Sequence, residues 1–418
     1  MAAESNDPLL KAQQLIKKGL DPSLLTLTQE KLAPTGTRQR QLKIGIPRES
    51  SYQETRVPLT PGAVSTLVAN GHRVLLEHDA GALAQYTDTA FSEAGGQIAY
   101  SKEEVFTEAE ILIKIAPLSL AEIELLKPGQ TIISAVHIGG IRPDYLKGLM
   151  RKGVTAVGFE FLQAPDGSVP IMRMMSEIAG ITSIHIATEL LAAGPSGGKG
   201  LLLGGVTGVP PSVVTIIGAG AVGYHACKAA LGLGATVKVI DTEVYKLKRL
   251  EELLGHKIYT AVAQPNYVAE AVATSDVLIG AAYRHGARAP VVVTEDMVAQ
   301  MKAGSVIVDV AIDQGGCIET SRITTHEHPT FELHGVVHYC VPNIAARVAH
   351  TASASISNIL GPLLLRIADA GGVKNLMATD PFFKRGIYAY HKHLTHRMLA
   401  AMFGLDFMDI ELLYAAEL

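Results

Sequence analysis

What this chain lacks narrows its role early. Only three of its 418 residues are cysteine, Cys227, Cys317 and Cys340. No two of them form a C-x-x-C pair and three cannot build a disulfide framework, so free thiols in a reducing compartment are expected rather than secretion. No block of Lys and Arg occurs, and 36 basic against 40 acidic residues leave a formal net charge of −4. That balance removes the electrostatic footprint of a nucleic-acid binder. No uninterrupted apolar run approaches the ~18 residues of a membrane span, and the opening Met1-Ala2-Ala3-Glu4-Ser5-Asn6-Asp7 lacks a basic start followed by an apolar stretch. The expectation is a soluble, cytoplasmic protein with no nucleic-acid or membrane partner.

What is present is a dinucleotide fingerprint. Gly218-Ala219-Gly220-Ala221-Val222-Gly223 directly follows the apolar run Val213-Val214-Thr215-Ile216-Ile217. A tight turn needs the free φ of Gly218, a pyrophosphate can approach backbone only where Gly220 has no side chain, and Gly223 lets the next helix pack close to its strand. That helix points unpaired N–H groups and the positive end of its dipole at the phosphates. A second strand, 235–241, ends in Asp241, 23 positions past Gly218. The spacing is close to the ~20 expected for a carboxylate that holds adenine ribose hydroxyls. An acid there repels a 2′-phosphate, so NAD is favoured over NADP. The rival reading is an empty structural turn.

The 48% hydrophobic content can fill real cores, and the length allows roughly two to three domains. Residues 1–42 read as a helical extension. From Lys43 strands and helices alternate, which predicts an α/β protein of two Rossmann-like domains with parallel sheets and an active-site cleft between them. The substrate domain is expected over 43–170 and 350–418, the NAD-binding domain over 171–349. C-terminal helices, from Ser353–Ala370 and beyond Pro381, would return to the first domain.

A dehydrogenase acting on a small acid needs a cation for the carboxylate and a group that moves a proton. Arg56, His137 and Asp313 lie at strand ends or in the loops after them, where an open sheet faces its cleft. Each has a plainer alternative: an ion pair for Arg56, a satisfied structural histidine for His137, an Asx turn for Asp313. Asp309 reads as structural. His391-x-His393-x-x-His396 lacks the i, i+4 pairing of two ligands on one helix face, so no metal is expected.

Several stretches together resemble the L-alanine dehydrogenase family, which also includes the NAD-binding α portion of proton-translocating transhydrogenase. They are Lys43-Ile44-Gly45-Ile46-Pro47-Arg48-Glu49, Glu54-x-Arg56-Val57 with Thr60-Pro61, Met175-Ser176-Glu177-Ile178-Ala179-Gly180, the run 308–317 with its Asp313-Gln314-Gly315-Gly316, and Thr325-x-x-His328-Pro329-Thr330-Phe331. The resemblance implies NAD-dependent oxidative deamination of L-alanine, or a closely related small amino acid, to an oxo acid such as pyruvate and ammonia, and the reverse reaction. It implies a homo-oligomer, a hexamer. Arg56 would bind the substrate carboxylate, His137 would be the acid/base, and Asp313 would hydrogen-bond the substrate and the attacking water or ammonia. Ser176, Asp241 and Asn343 would contact the cofactor with Gly218, Gly220, Val222 and Gly223.

One position departs from the family pattern. A family strand reading Lys-Val-Lys-Glu-Pro is here Lys114-Ile115-Ala116-Pro117, so Ala116 stands where the substrate-contacting lysine belongs. Lys114, two residues earlier on the same strand face, is the expected substitute, with Arg173 as another source of charge. The same gap supports a second reading, a partner-dependent NAD-binding subunit like the transhydrogenase α portion.

Overall fold

Strands form where the sequence runs short and aliphatic and is covered on both faces. In Ile111–Ile113, Thr131–Ser134, Val277–Gly280 and Val306–Asp309 every residue is buried, as parallel strands between helical layers require. The computed structural model describes residues 40–415 apart from 52, 139, 195–197 and 285–287. The extension expected over residues 1–42 lies outside the described residues up to 39.

The first sheet contains β1 (Lys43–Ile46), β2 (Arg73–Glu77), β3 (Gln97–Ala99), β4 (Ile111–Ile113), β5 (Thr131–Ser134) and β6 (Thr155–Gly158). The second contains β7 (Val213–Ile217), β8 (Thr236–Asp241), β9 (Tyr259–Val262), β10 (Val277–Gly280), β11 (Val306–Asp309), β12 (Thr330–Leu333) and β13 (Val336–Tyr339). The chain then returns to the first sheet with β14 (Ile387–Tyr390) and β15 (His393–Leu394). The spatial orders are β15-β14-β6-β5-β4-β1-β2-β3 and β12-β13-β11-β10-β7-β8-β9. Pairing is parallel except where β14 meets β6 and β15, and where β12 meets β13. Strand order reverses beside β1 in one sheet and beside β7 in the other. Ligands of open α/β sheets bind at such switch points, past the carboxyl ends of the strands.

Three helices tie the halves together. In α1 (Pro170–Leu191) and α2 (Ala221–Gly232) the backbones approach so closely that a Cβ on Gly180 would collide with the Val222 carbonyl oxygen. α3 (Ala349–Asp369) carries Ile356, Leu360, Leu363, Leu364 and Ile367 into the core of the first sheet. With the turn before it, Ile344–Asp369 is long and apolar enough to cross a bilayer by length and composition. Here it packs as a core helix, and its Ser353 and Ser357 hydroxyls accept the N–H groups of Val57 and Thr60.

Helix beyond Pro381 is present as expected, over Pro381–Gly386, Arg397–Phe403 and Ile410–Ala415, but it is interrupted where Ile387-Tyr388-Ala389-Tyr390 forms a buried strand that was not anticipated. Its β-branched and aromatic residues suit a pleated surface, and the Tyr388 hydroxyl meets that of Tyr145 at 3.0 Å.

Candidate active site

The second sheet presents backbone to the crevice. Gly218, at φ +112°, turns the chain out of β7, and a Cβ on Gly223 would collide with the Gly218 carbonyl oxygen. A Cβ on Gly220 would meet nothing within 4 Å, so bare backbone faces open space at the N-terminus of α2. Asp241 ends β8 and is buried, its carboxylate accepting the Ala219 N–H at 2.7 Å and the Glu243 N–H at 2.8 Å. Val222 lies half-buried in the same turn. These residues fit a dinucleotide: a cradle that a side chain would fill, a helix N-terminus, and a carboxylate at the neighbouring strand end.

The first sheet presents charge. Arg56 is 6% exposed and forms a two-pronged pair with Glu54, Nε to Oε1 at 2.7 Å and Nη2 to Oε2 at 2.6 Å. Its Nη1 reaches the Met175 sulfur at 3.2 Å, beside half-buried Ser176 on α1. Burial by itself would raise the pKa of Glu54, but Arg56 and the Asn343 side chain hold it below the usual carboxylate range. Asn343, in the left-handed region at φ +56°, joins the two walls. Its N–H donates to Asp313 Oδ1 at 2.9 Å and its Nδ2 to Glu54 Oε2 at 2.9 Å.

Asp313 follows β11 on a short 3-10 turn organised by Asp309, whose carboxylate takes the N–H groups of Ala311, Cys317 and Ile318. Water can reach the Asp313 side chain, yet the protein mass around it raises its pKa, an effect partly offset by Asn343, His137 and Arg56. The local accessibility and the depth describe one situation, a carboxylate in a crevice. His137 is exposed just past β5, at φ +50°. Glu160 fixes this turn by accepting the N–H groups of Val136 and His137, each at 2.9 Å. Arg56, His137, Asp313 and Asn343 are thus brought into one electrostatic neighbourhood.

The structure does not leave Lys114 a free cation. Its ammonium is 1% exposed and bonds both oxygens of Glu122, at 3.0 and 2.9 Å, with Glu49 at 3.6 Å. A desolvated ammonium needs such partners, and the expectation that it reaches substrate in place of a lysine at Ala116 is corrected on that ground. Ala116 itself is fully buried. Arg173 is exposed and lies near enough to Asp166 and His225 to act on their charges.

Sequence reasoning passed over Glu49, Glu54, Glu122 and Glu160. Glu54 had a signal, because residues i and i+2 of an extended segment share a side; Glu122 had one as the last residue of the capping box Ser119-x-x-Glu122, though not for its pairing with Lys114, and Glu49 and Glu160 pair across tens of residues and had none. A cavity of about 690 Å³ opens near Thr55, lined among others by Gln53, Gln85, His326, Arg347 and His350. Arg56, His137 and Asp313 are not in its walls, so it is not the reacting centre. Among the described residues, His78, Asp79 and Asp88 bring potential metal-ligand atoms within 4.8 Å of one another. This is a partly exposed group in which His78 already bonds Asp88.

Two mostly parallel sheets meeting at a crevice, one wall shaped for a dinucleotide and the other built around a guanidinium, define a two-domain nucleotide-dependent oxidoreductase. Comparison with known proteins narrows the class. Residues 45–179 match the family model "Alanine dehydrogenase/PNT, N-terminal domain" and residues 183–397 the corresponding C-terminal domain. The chain belongs to the alanine dehydrogenase/PNT family. It is 42% identical to the alanine dehydrogenase of Bacillus subtilis (strain 168) over 369 residues, 88% of this chain and 96% of that one. It is 39% identical to that of Halomonas elongata over 368 residues, 88% and 98% of the two chains. A solved L-alanine dehydrogenase superposes with a TM-score of 0.81 at 38% identity, covering 87% of this chain and 99% of the other. A transhydrogenase from Sinorhizobium meliloti, at 24% identity and a TM-score of 0.71, shares the fold over 85% of this chain and 99% of its own.

Proposed function

We propose that this chain catalyses the NAD-dependent oxidative deamination of L-alanine to pyruvate and ammonia, and the reverse reductive amination. The observation that carries the reading is the junction at Asn343, which ties the dinucleotide half, through Asp313, to the Arg56–Glu54 pair of the other half. Overall, alanine, NAD⁺ and water give pyruvate, ammonium, NADH and a proton. NAD, when bound, would supply the hydride acceptor, and Gly218, Gly220, Val222 and Gly223 with Asp241, Ser176 and Asn343 are the residues that would hold it.

Arg56 binds the substrate carboxylate. Glu54 occupies its Nε–Nη2 edge, which fixes the guanidinium plane, and a substrate carboxylate would take the Nη1–Nη2 edge, where the partner is now the weakly accepting Met175 sulfur. His137 takes a proton from the attacking water's oxygen and delivers it to the departing nitrogen as the carbinolamine collapses, while the hydroxyl proton released on forming the carbonyl passes to solvent. Asp313 orients the substrate nitrogen and the water by hydrogen bonding, in a crevice where burial raises its carboxyl above the ordinary value. The same proposal includes a homo-oligomer, a hexamer, working in the cytoplasm. Light scattering of the purified protein tests the assembly.

The direct test is to mix purified protein with NAD and alanine and follow the absorbance of the reduced nicotinamide. Formation of NADH and pyruvate in equal amounts by this chain alone supports the reading. Silence across small amino acids, and across oxo acids with ammonium and NADH, overturns it.

A further inference from the structure

Ala116 leaves the end of β4 without a cation, and its neighbour cannot replace one. Glu122, which holds Lys114 with both oxygens, also takes Lys102 Nζ at 2.8 Å and Ser50 Oγ at 3.0 Å. Burial would raise the pKa of Glu122, but these ammonium groups bring it down to about 2. Glu49 is less well satisfied. Its Oε1 accepts the Ile115 N–H at 2.6 Å, while Oε2, sealed from solvent, makes no hydrogen bond and has only the Lys114 ammonium at 3.6 Å, an ammonium that Glu122 already holds with both oxygens. Glu49 acts electrostatically on both Arg56 and Glu54. Three carboxylates, those of Glu54, Glu49 and Asp313, therefore bear on one guanidinium. A ligand that brings only a carboxylate meets this negative field unaided, whereas one that also brings an ammonium is compensated.

We propose that Glu49 is a specificity-determining residue that weights the substrate site toward the zwitterionic amino acid and against the 2-oxo acid anion. The inference rests on the proposed alanine–pyruvate reaction. Glu49 acts through the field at Arg56, as a positioning residue, and takes part in no proton or hydride transfer. Burial pushes its carboxyl up to about 7, so the charge is present in mildly alkaline solution.

The test compares KM for alanine with KM for pyruvate, the latter at saturating ammonium and NADH, in Glu49→Gln at about pH 8.5. Pyruvate KM is expected to fall roughly threefold to tenfold while alanine KM stays level or rises and kcat changes less than about twofold. Glu49→Asp keeps the charge and is expected to keep the wild-type ratio of the two constants. Equal changes in both constants, an unaltered pyruvate KM, or the same shift in Glu49→Asp would overturn the proposal. Should the glutamine protein fail to fold, Glu49→Met reads the same ratio. Wild-type protein inert toward both substrates removes the reaction itself, and with it this inference, while an active wild type with an unmoved ratio in the variant removes only the inference.

Discussion

At the end of β7 the crevice wall is backbone, and at the ends of β1 and β4 it is charged side chains locked into pairs. The backbone wall depends on what is missing: no Cβ at Gly223, where one would strike the Gly218 carbonyl, and none at Gly220, where one would fill open space. The charged wall depends on mutual satisfaction, with Arg56 claimed by Glu54 and Lys114 by Glu122. The first kind of wall tolerates few additions. The second tolerates few removals, since losing one partner of a buried pair strands the other.

The largest expected effect lies where the walls meet. Asp313→Asn should lower turnover about 10³-fold, roughly 4 kcal/mol, with NAD affinity changed less than about threefold. His137→Ala should behave alike with a loss of about 10². Loss of NAD binding in either variant, measured by calorimetry, would move that residue to the dinucleotide wall and break the division between the two.

Lys114→Met comes next, as a test of the charged wall. Leaving Glu49 without its cation and Glu122 with Lys102 alone should lower stability by about 3 kcal/mol in urea titration. The pH dependence has a definite sign. Glu122 is held well below its ordinary value of 4.5, at about 2. Its stabilisation is therefore present above about pH 4.5 and is lost as the pH falls toward 2. The gap between wild type and variant should shrink over that acid range; a gap that widens there would contradict the assignment.

Gly223→Ala adds one methyl to the backbone wall. It should cost about 2 kcal/mol and weaken NAD binding at least tenfold, and an unaltered affinity would mean that the turn is not the cradle. The smallest effect is expected from Asp241→Ala. NAD affinity should drop about tenfold, near 1.4 kcal/mol, and the preference over NADP should narrow. The variant loses a ribose partner and also the acceptor for the Ala219 and Glu243 N–H groups, so a melting curve belongs with the titration.

The same contrast explains what could be read from the sequence. The backbone wall is local: six residues after a strand and an acid 23 positions on place Gly218, Gly223 and Asp241 in one βαβ unit. Strands β1, β2, β4, β5 and β6 and the return of α3 to the first sheet were legible for the same reason, since aliphatic runs and the Thr60-Pro61 helix start are local signals, whereas the three-residue β3 was not. The charged wall is not local. Lys114 is eight residues from Glu122 and 65 from Glu49, and a strand-face argument gave its side without its partners. The edge strands β12 and β15, and β14 between β15 and β6, were missed because they pair antiparallel late in the chain, the register of β14 being set by tertiary contact with β6 and that of β15 by β14.

The central claim is that hydride leaves the α-carbon of an amino acid gripped at Arg56 and arrives on a nicotinamide carried by the glycine turn. Alanine deuterated at the α-carbon tests it in a single experiment, read by mass spectrometry of the NADH formed. The account predicts reduced cofactor carrying the deuterium, a slowed turnover, and neither signal from Arg56→Ala. NADH formed without deuterium, or labelled equally by the Arg56→Ala protein, would contradict it.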